Sequence, residues 1–345
     1  MDRRTFLLTA AAAAAGCSRP DKNEPLRKAA QWLWSQQAAD GGFHSQTYGL
    51  LRSGQSLTPF VLDALGDLGR EDGVPAPSGG IDRGLAFIRK NTNADGALGM
   101  MDSATQDYPN YATALAVTAF VEAGRPGWER DIAPMVAHLR VQQFTEDHGW
   151  KHADPPFGGW GMGGPIHRPP DAGHVDLSMT RFVLEALRDA GVPSSDPALQ
   201  RALAFLERCQ NPDGGFSFST VNLETNKAGE TNGRPNSYGT TTADGLLALR
   251  AAGVADTDPR AAGAMKWLLN HHQPDRAPGF DGSPRQSWAA GLRFYYAAAI
   301  KRAMPSLPVQ LPPQRDDGSF VNSSNQVKED DPLIATGFAL RALVQ

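Results

Sequence analysis

The stretch Cys209-Gln210-Asn211-Pro212-Asp213-Gly214-Gly215-Phe216 decides the fold, because degraded copies of it recur along the chain. Each copy combines a polar amide, an acidic turn residue, a glycine and an apolar anchor, which together stop a helix and open a tight turn. We count six copies, and the other five are Gln37 to Phe43, Asn91 to Leu98, Gln143 to Trp150, His272 to Phe280 and Gln314 to Phe320.

A second marker follows the copies in a constant order. It is an apolar, helix-forming run that opens on a threonine, and its five examples are Thr58–Leu65, Thr113–Phe120, Thr180–Leu187, Thr242–Leu249 and Thr336–Leu343. The run after Gln286 has the same composition but lacks the threonine. Two independent markers that repeat together predict a chain of helix hairpins.

The threonine-led helices are rich in alanine and leucine, whereas the helices before the turns are amphipathic. We therefore place the threonine-led helices inside and the others outside. Six such pairs can close into an all-α (α/α)6 toroid, and we predict a single toroid domain over residues 25–345. The sixth pair is incomplete, because residues 305–313 hold four prolines where its outer helix should be.

Composition excludes some classes of protein. The chain has 345 residues, of which 41% are hydrophobic and 20% charged, and its net charge is −4. These values are those of a globular domain, and they give no electrostatic reason to expect nucleic acid as a partner.

The N-terminal residues 1–24 read as a targeting segment and tether. Arg3 and Arg4 precede an apolar run, Phe6 to Ala15, as in a twin-arginine export signal. The run ends before Cys17 in a sequence similar to a lipoprotein processing site, so we predict an exported protein on the periplasmic side, with a lipid on Cys17 as its membrane anchor. Cleavage nearby without lipidation is the alternative. Cys209 is then the remaining cysteine, and we read it as a buried side chain.

The recurring Gln-Asp-Gly-aromatic turn resembles the QW motif of the squalene cyclase and prenyltransferase repeat superfamily. Residues 237–242 (SYGTTT) and 330–336 (DDPLIAT) are similar to segments of its bacterial terpene-cyclase-like members. The resemblance covers nearly all of residues 26–345. It implies a toroid with a central cavity for an apolar isoprenoid or lipid.

The resemblance also implies where an acid should lie. Class II cyclases of this superfamily use Asp-x-Asp-Asp, whose middle acid protonates an alkene, and here Asp176 matches the first acid. Ser178 and Met179 stand at the second and third positions. Asp331, just before an inner helix, is another candidate acid, with helix capping as the alternative. The superfamily's zinc-dependent prenyltransferases need an Asp, Cys and His site that this chain lacks, so no metal or other cofactor is expected.

His174 and Asp176 lie at the end of a long Gly- and Pro-rich insertion, residues 151–171. Such insertions are more often functional than not. The pair could act as acid and base, or could bind a metal together with His152 or His167. The alternative is an Asp N-cap beside a solvent-facing histidine.

Further candidates lie on the inner helices. Asp244 interrupts an apolar helix, where it either faces the cavity or is satisfied by a neighbouring hydroxyl. Arg181 and Arg293 could pair with it or bind an anionic ligand. The aromatic residues that we expect at the cavity are Trp160, Tyr238 and Trp288, together with Tyr295 and Tyr296, for which core packing is the favoured alternative.

Three functions remain open from the sequence. The first is a terpene-cyclase-like cyclase or isomerase with a non-standard acid. The second is a non-catalytic envelope lipoprotein that binds a ligand or an unspecified protein partner. The third is a carbohydrate-active enzyme, because (α/α)6 barrels also host paired carboxylates. What lines the cavity separates them.

Overall fold

A computed structural model describes residues 23–66, 68, 74–101 and 105–344. The targeting segment, with Cys17, lies outside these residues. The α-helices are α1 (Glu24–Ser35), α2 (Leu57–Gly66), α3 (Gly80–Asn91), α4 (Pro109–Ala123), α5 (Trp128–Val141), α6 (Leu177–Asp189), α7 (Pro197–Cys209), α8 (Gly239–Ala251), α9 (Pro259–His271), α10 (Ser287–Gly291), α11 (Arg293–Ala303) and α12 (Pro332–Leu343). Two short antiparallel pairs join β1 (Trp160–Gly161) to β2 (Val175–Asp176) and β3 (Glu230–Thr231) to β4 (Arg234–Pro235).

The inner helices form a closed ring. Helix α2 packs on α4, and the sequence continues through α6, α8, α11 and α12, which returns to α2. Every residue of α2 from Leu57 to Leu65 is buried, and α4 and α8 are similarly enclosed. The outer helices α1, α3, α5, α7 and α9 bury one face only. The predicted all-α toroid, with its apolar helices inside, is confirmed.

The sixth outer helix is missing, as its prolines predict. Residues 304–313 contain no helix. Helix α1, from the opposite end of the chain, packs on α12 instead. The first and last repeats therefore close the ring together.

In four of the six copies of the turn, a glutamine joins one repeat to the next. Its side-chain amide donates to a carbonyl in the first turn of the following outer helix, at 2.8–2.9 Å; these pairs are Gln37 to Gly80, Gln143 to Ala198, Gln210 to Arg260 and Gln314 to Pro25. The turn glycine packs against the same helix: at Gly214, where φ is +89°, an added Cβ would lie 2.6 Å from the Gly263 carbonyl oxygen. A side chain there would force the repeats apart.

The recurring threonine holds the other end of the turn. Its hydroxyl accepts from the backbone N–H of the apolar anchor at 2.9–3.0 Å; these pairs are Thr58 with Phe43, Thr113 with Leu98, Thr180 with Trp160, Thr242 with Phe216 and Thr336 with Phe320. Each contact satisfies a buried donor that would otherwise be unpaired. The turn motif and the threonine-led helix are thus joined by one recurring hydrogen bond.

In the third repeat, the structure corrects the anchor residue that the sequence predicted. The anchor that bonds Thr180 is Trp160, not Trp150, and Gln143 donates to the Gly158 carbonyl at 2.9 Å. Gly158-Gly159-Trp160 therefore corresponds to Gly214-Gly215-Phe216, and the intervening residues are inserted within the turn. Spacing alone favoured the nearer Gly-Trp pair, but the backbone contacts select the later one.

Within the described ranges, no helix combines the length and the apolar character needed to cross a membrane.

Candidate functional site

A cavity of about 350 Å³ lies at the end of the ring where the inner helices begin. Its wall is largely aromatic and includes Phe60, Tyr108, Tyr111, Phe182, Phe218, Tyr238, Trp288, Tyr295 and Phe338. Several rings meet edge to face, with centroids 4.9 Å apart for Phe60 and Phe338 and 4.7 Å apart for Tyr111 and Phe182. Such a wall fits an apolar chain, and its ring faces can stabilise a positive charge.

The insertion at residues 151–171 contributes no residue to this wall. It runs through the turn of the third repeat and pairs β1 with β2. The insertion therefore does not plug the cavity, as it would in a protein that uses the toroid without catalysis.

Asp244 lies fully buried behind the cavity wall, on α8. Its Oδ2 accepts from the Ser178 hydroxyl and from the Tyr295 hydroxyl, each at 2.7 Å, and both donors line the cavity. The Arg181 guanidinium lies 3.8 Å from Oδ1, which accepts no hydrogen bond in the described structure. The sequence left two alternatives for Asp244, and the structure shows that two hydroxyls satisfy its carboxyl; these hydroxyls, and not the carboxyl itself, line the cavity.

Burial raises the pKa of Asp244 to about 6, although Arg181 and both hydroxyls act in the opposite direction. Burial also raises the pKa of Tyr295, so its phenol stays protonated. Arg181 is itself held by Glu185, with its Nε 2.7 Å from a carboxylate oxygen. A carboxyl that can hold or release a proton near neutral pH therefore stands one hydroxyl away from the cavity.

Asp176, which matches the first acid of the cyclase motif, caps α6. Its carboxyl accepts from the Met179 N–H at 2.8 Å and contacts His174 Nε2 at 2.7 Å. Asp176 is 1% exposed and does not line the cavity. Ser178 and Met179 of this motif do line the cavity, and the Ser178 hydroxyl donates to the carboxyl of Asp244 on the next inner helix.

Glu329 is a cavity residue that sequence reasoning missed. It is fully buried, and its carboxyl accepts from the Phe294 and Tyr295 N–H groups at 3.0 and 2.8 Å and from Asn322 at 2.8 Å. Burial raises its pKa to about 7 in spite of these donors. Its position directly before Asp330 and Asp331 was the available signal, but that segment read as an exposed helix start.

The raised pKa of Glu329 predicts a pH-dependent stability. Between the ordinary pKa of 4.5 and about 7, the folded protein holds a proton that the unfolded chain releases. The free energy of unfolding should therefore fall as pH rises through this window, by about 3 kcal/mol at 1.36 kcal/mol per pKa unit. In denaturant titrations at pH 5 and pH 8, the decline in the free energy of unfolding should be smaller by this amount in Glu329→Gln. This holds even if the substitution lowers the stability at both pH values. Glu207→Gln, at an exposed outer position, should keep the full decline. An equal decline in the wild type and both variants would contradict the assignment of this pH dependence to Glu329.

Asp331 is the N-cap of α12. It accepts from the Leu333 N–H at 2.9 Å and from the Ser45 hydroxyl, and it is 1% exposed. Its neighbour Asp330 accepts from the Tyr48 phenol at 2.5 Å. This pair ties the start of α12 to the first repeat, and Asp331 is not part of the cavity wall.

The remaining candidates divide by position. Tyr238 and Trp288 line the cavity. Trp160 does not; it is fully buried as the anchor of the third turn, and its indole donates to the Leu139 carbonyl at 2.7 Å. Arg293 lies away from Asp244 and donates to the Gln310 carbonyl at 3.2 Å. No group of three or more His, Cys, Asp or Glu side chains among the described residues could hold a metal ion.

Sequence comparison matches the central part of the chain. A family model for the squalene-hopene cyclase C-terminal domain covers residues 173–286. The squalene-hopene cyclase of Bradyrhizobium diazoefficiens is 28% identical over 230 residues, which are 61% of this chain and 32% of that enzyme. The drimenyl diphosphate synthase of Streptantibioticus cattleyicolor is 31% identical over 192 residues, 55% of this chain and 32% of the synthase. The chain thus spans 32% of the length of either relative.

Structural comparison matches nearly the whole chain. A type II terpene cyclase from Scytonema superposes with a TM-score of 0.56 at 14% identity, covering 94% of this chain and 97% of that one. A variant of that cyclase in complex with its substrate, geranylgeranyl dihydroxybenzoate, gives the same TM-score at 16% identity and covers 94% and 96%. A family 76 glycoside hydrolase, a mannosidase from Bacteroides thetaiotaomicron, reaches 0.54 at 11% identity, covering 94% and 97%. At these identities the likeness establishes the toroid fold and does not choose between activities.

Proposed function

The chain shares the fold of the squalene cyclase-like superfamily and, over residues 173–286, its sequence pattern, and on that premise we propose that its cavity binds and protonates a polyprenyl chain. The acid in this proposal is Asp244. The observation that carries it is the contact of the Asp244 carboxyl with the Ser178 and Tyr295 hydroxyls, which reach the aromatic cavity. The product would be an isomer of the substrate.

The proton follows a short path in this scheme. The hydroxyl of Ser178 or Tyr295 gives its proton to the terminal alkene carbon and takes the proton of the Asp244 carboxyl. In this step the protonated carboxyl is the donor of the 2.7 Å hydrogen bond and the hydroxyl is its acceptor. A C–H bond forms as the π bond breaks, and a tertiary cation remains. The faces of Phe60, Phe338 and Phe182 stabilise this cation while the chain closes on itself. Loss of a proton from a neighbouring carbon restores an alkene and returns a proton to the protein.

The cavity chemistry favours this proposal over a carbohydrate-active enzyme. A sugar needs hydrogen-bonding groups along its whole binding cleft, whereas this wall is mostly aromatic and aliphatic. Glu329 lines the cavity, but both of its oxygens are engaged by N–H donors. Asp244 is reached only through hydroxyls, so two carboxylates do not face each other across an open cleft.

The test is turnover in D2O. The full chain is incubated with farnesol, geranylgeraniol, farnesyl diphosphate and squalene, and the products are analysed by mass spectrometry. Proton-initiated cyclisation predicts an isomeric product that carries deuterium at the protonated carbon. A substrate that binds but is recovered unchanged and unlabelled would refute catalysis and support a binding protein. Binding of none of these chains would refute the proposal altogether.

A further inference from the structure

Two lysines enter the aromatic cavity from different loops. Lys227 comes from the polar insertion between α7 and α8, and Lys328 comes from the segment before α12. Among the described residues, no carboxylate oxygen lies within 4 Å of either ammonium group. Within the described ranges, neither lysine therefore forms an ion pair, although Asp107 and Asp176 attract Lys328 and Lys227 from further away.

Lys227 is held against an aromatic ring. Its Nζ lies 3.3 Å from the centroid of Phe218, which also lines the cavity. Burial lowers the pKa of Lys227 to about 8, against the distant attraction of Asp176. A partly desolvated ammonium that rests on a ring gains strongly from an added anion.

Lys328 is placed by an unusual backbone. Its φ is +64°, and the φ of Tyr108, whose phenol it contacts at 3.0 Å, is +47°. Left-handed conformations are costly for such residues, so the surrounding contacts must hold them. Glu329 and Asp331 do so on one side, by binding the N-terminal turns of α11 and α12. The strained turn directs the ammonium into the cavity.

The hydroxyls bonded to Asp244 belong to residues of α6 and α11, whereas the two ammonium groups come from loops. A carbocation would be repelled by an ammonium group, so the alkene that is protonated must lie away from the lysines. An anionic group on the same molecule would be attracted to them. This charge pattern orients a substrate that has one anionic end and one apolar end.

We infer that the cavity takes a polyprenyl chain with an anionic head, a diphosphate, phosphate or carboxylate, which Lys227 and Lys328 bind. This inference rests on the proposed function and specifies its substrate class. The head stays near the loops, and the terminal alkene reaches Ser178 and Tyr295. Neutral chains would enter the same cavity without this orientation.

The test compares heads on a constant chain. Binding of farnesyl diphosphate, farnesoic acid and farnesol to the full chain is measured by titration calorimetry at low and high salt. Both anions should bind at least about tenfold more tightly than farnesol at low salt, and the difference should shrink at high salt. Tight binding of the diphosphate alone would identify a diphosphate head; tight binding of the acid as well would extend the site to carboxylates.

The variants Lys227→Met and Lys328→Met should each weaken binding of the anions by about tenfold and leave farnesol binding unchanged. Lys301→Met is the matched control, because Lys301 lies on α11 outside this cavity and donates to the Pro305 carbonyl. Equal affinity for all three ligands in the wild type would overturn the inference and leave the proposed function intact. Equal loss of all three ligands in the lysine variants would assign the lysines a structural role. If no ligand binds, the proposed function fails too.

Discussion

Asp244→Asn is expected to lower turnover of a polyprenyl substrate by about 10²–10⁴-fold, the usual contribution of a general acid, while the substrate still binds. The asparagine keeps the size of the side chain and can still accept from Ser178 and Tyr295, which bond the aspartate at 2.7 Å. It cannot supply a proton. The loss should therefore appear in kcat, measured by product formation at saturating substrate, with little change in substrate affinity.

The hydroxyl that carries the proton can be identified by two further variants. Ser178→Ala and Tyr295→Phe each remove one hydroxyl from the cavity wall. The variant that interrupts the path should approach the activity of Asp244→Asn, and the other should retain most of its turnover. If both variants keep full activity while Asp244→Asn is inactive, Asp244 does not act through either hydroxyl.

Asp176→Asn is the matched comparison for the position that the cyclase motif suggests. Asparagine caps helices as well as aspartate does, so the start of α6 should survive. Because Asp176 does not line the cavity, we expect turnover to stay within a few-fold of the wild type. A loss of turnover as large as that of Asp244→Asn would indicate that the acid is Asp176 on α6, and would contradict its assignment to Asp244 on α8.

Asp63→Leu is expected to cost about 3–5 kcal/mol in the free energy of unfolding, because it removes one half of a buried ion pair. Asp63 on α2 forms an ion pair with Arg341 on α12, and their side chains are 2% and 8% exposed. These helices are the first and last of the inner ring. Their contact closes the toroid and supports Phe60 and Phe338, which lie on the cavity wall.

The double variant Asp63→Leu with Arg341→Met separates loss of the pair from loss of packing. Removal of both charges should recover much of the stability lost by Asp63→Leu, since neither charge then has to be buried. Denaturant titrations of the wild type, both single variants and the double variant give the coupling free energy directly. Additive losses would mean that the two side chains do not stabilise the closure as a pair.

The fold was predictable because its markers are local and repeated. Gln210, Gly214 and Thr242 each make a contact with a backbone group of a neighbouring turn or helix. Such a contact constrains residue type at a set distance in the chain, and repetition makes the constraint visible. Where an insertion separates Gln143 from Trp160, the distance is lost and the sequence pointed to Trp150 instead.

The candidate site was only partly predictable. Tyr238 and Trp288, which the sequence singled out, line the cavity, and Asp244 lies one hydroxyl behind its wall. Trp160 was expected there as a large ring in a Gly-rich insertion, but it is a core anchor. Glu329 and the two lysines escaped notice, since polar residues in loops normally face solvent.

The sequence by itself determined the repeat, the number of inner helices and the side of each helix that is buried, because these follow from periodicity along one chain. Tertiary structure alone decided which buried carboxyl is hydrogen-bonded to groups of the cavity wall. Asp176 and Asp244 are both buried carboxylates at or near the start of inner helices, but one caps its own helix and the other reaches hydroxyls on two neighbours. That difference depends on how α6, α8 and α11 face each other, and a carboxyl's partners set both its pKa and its access to a ligand.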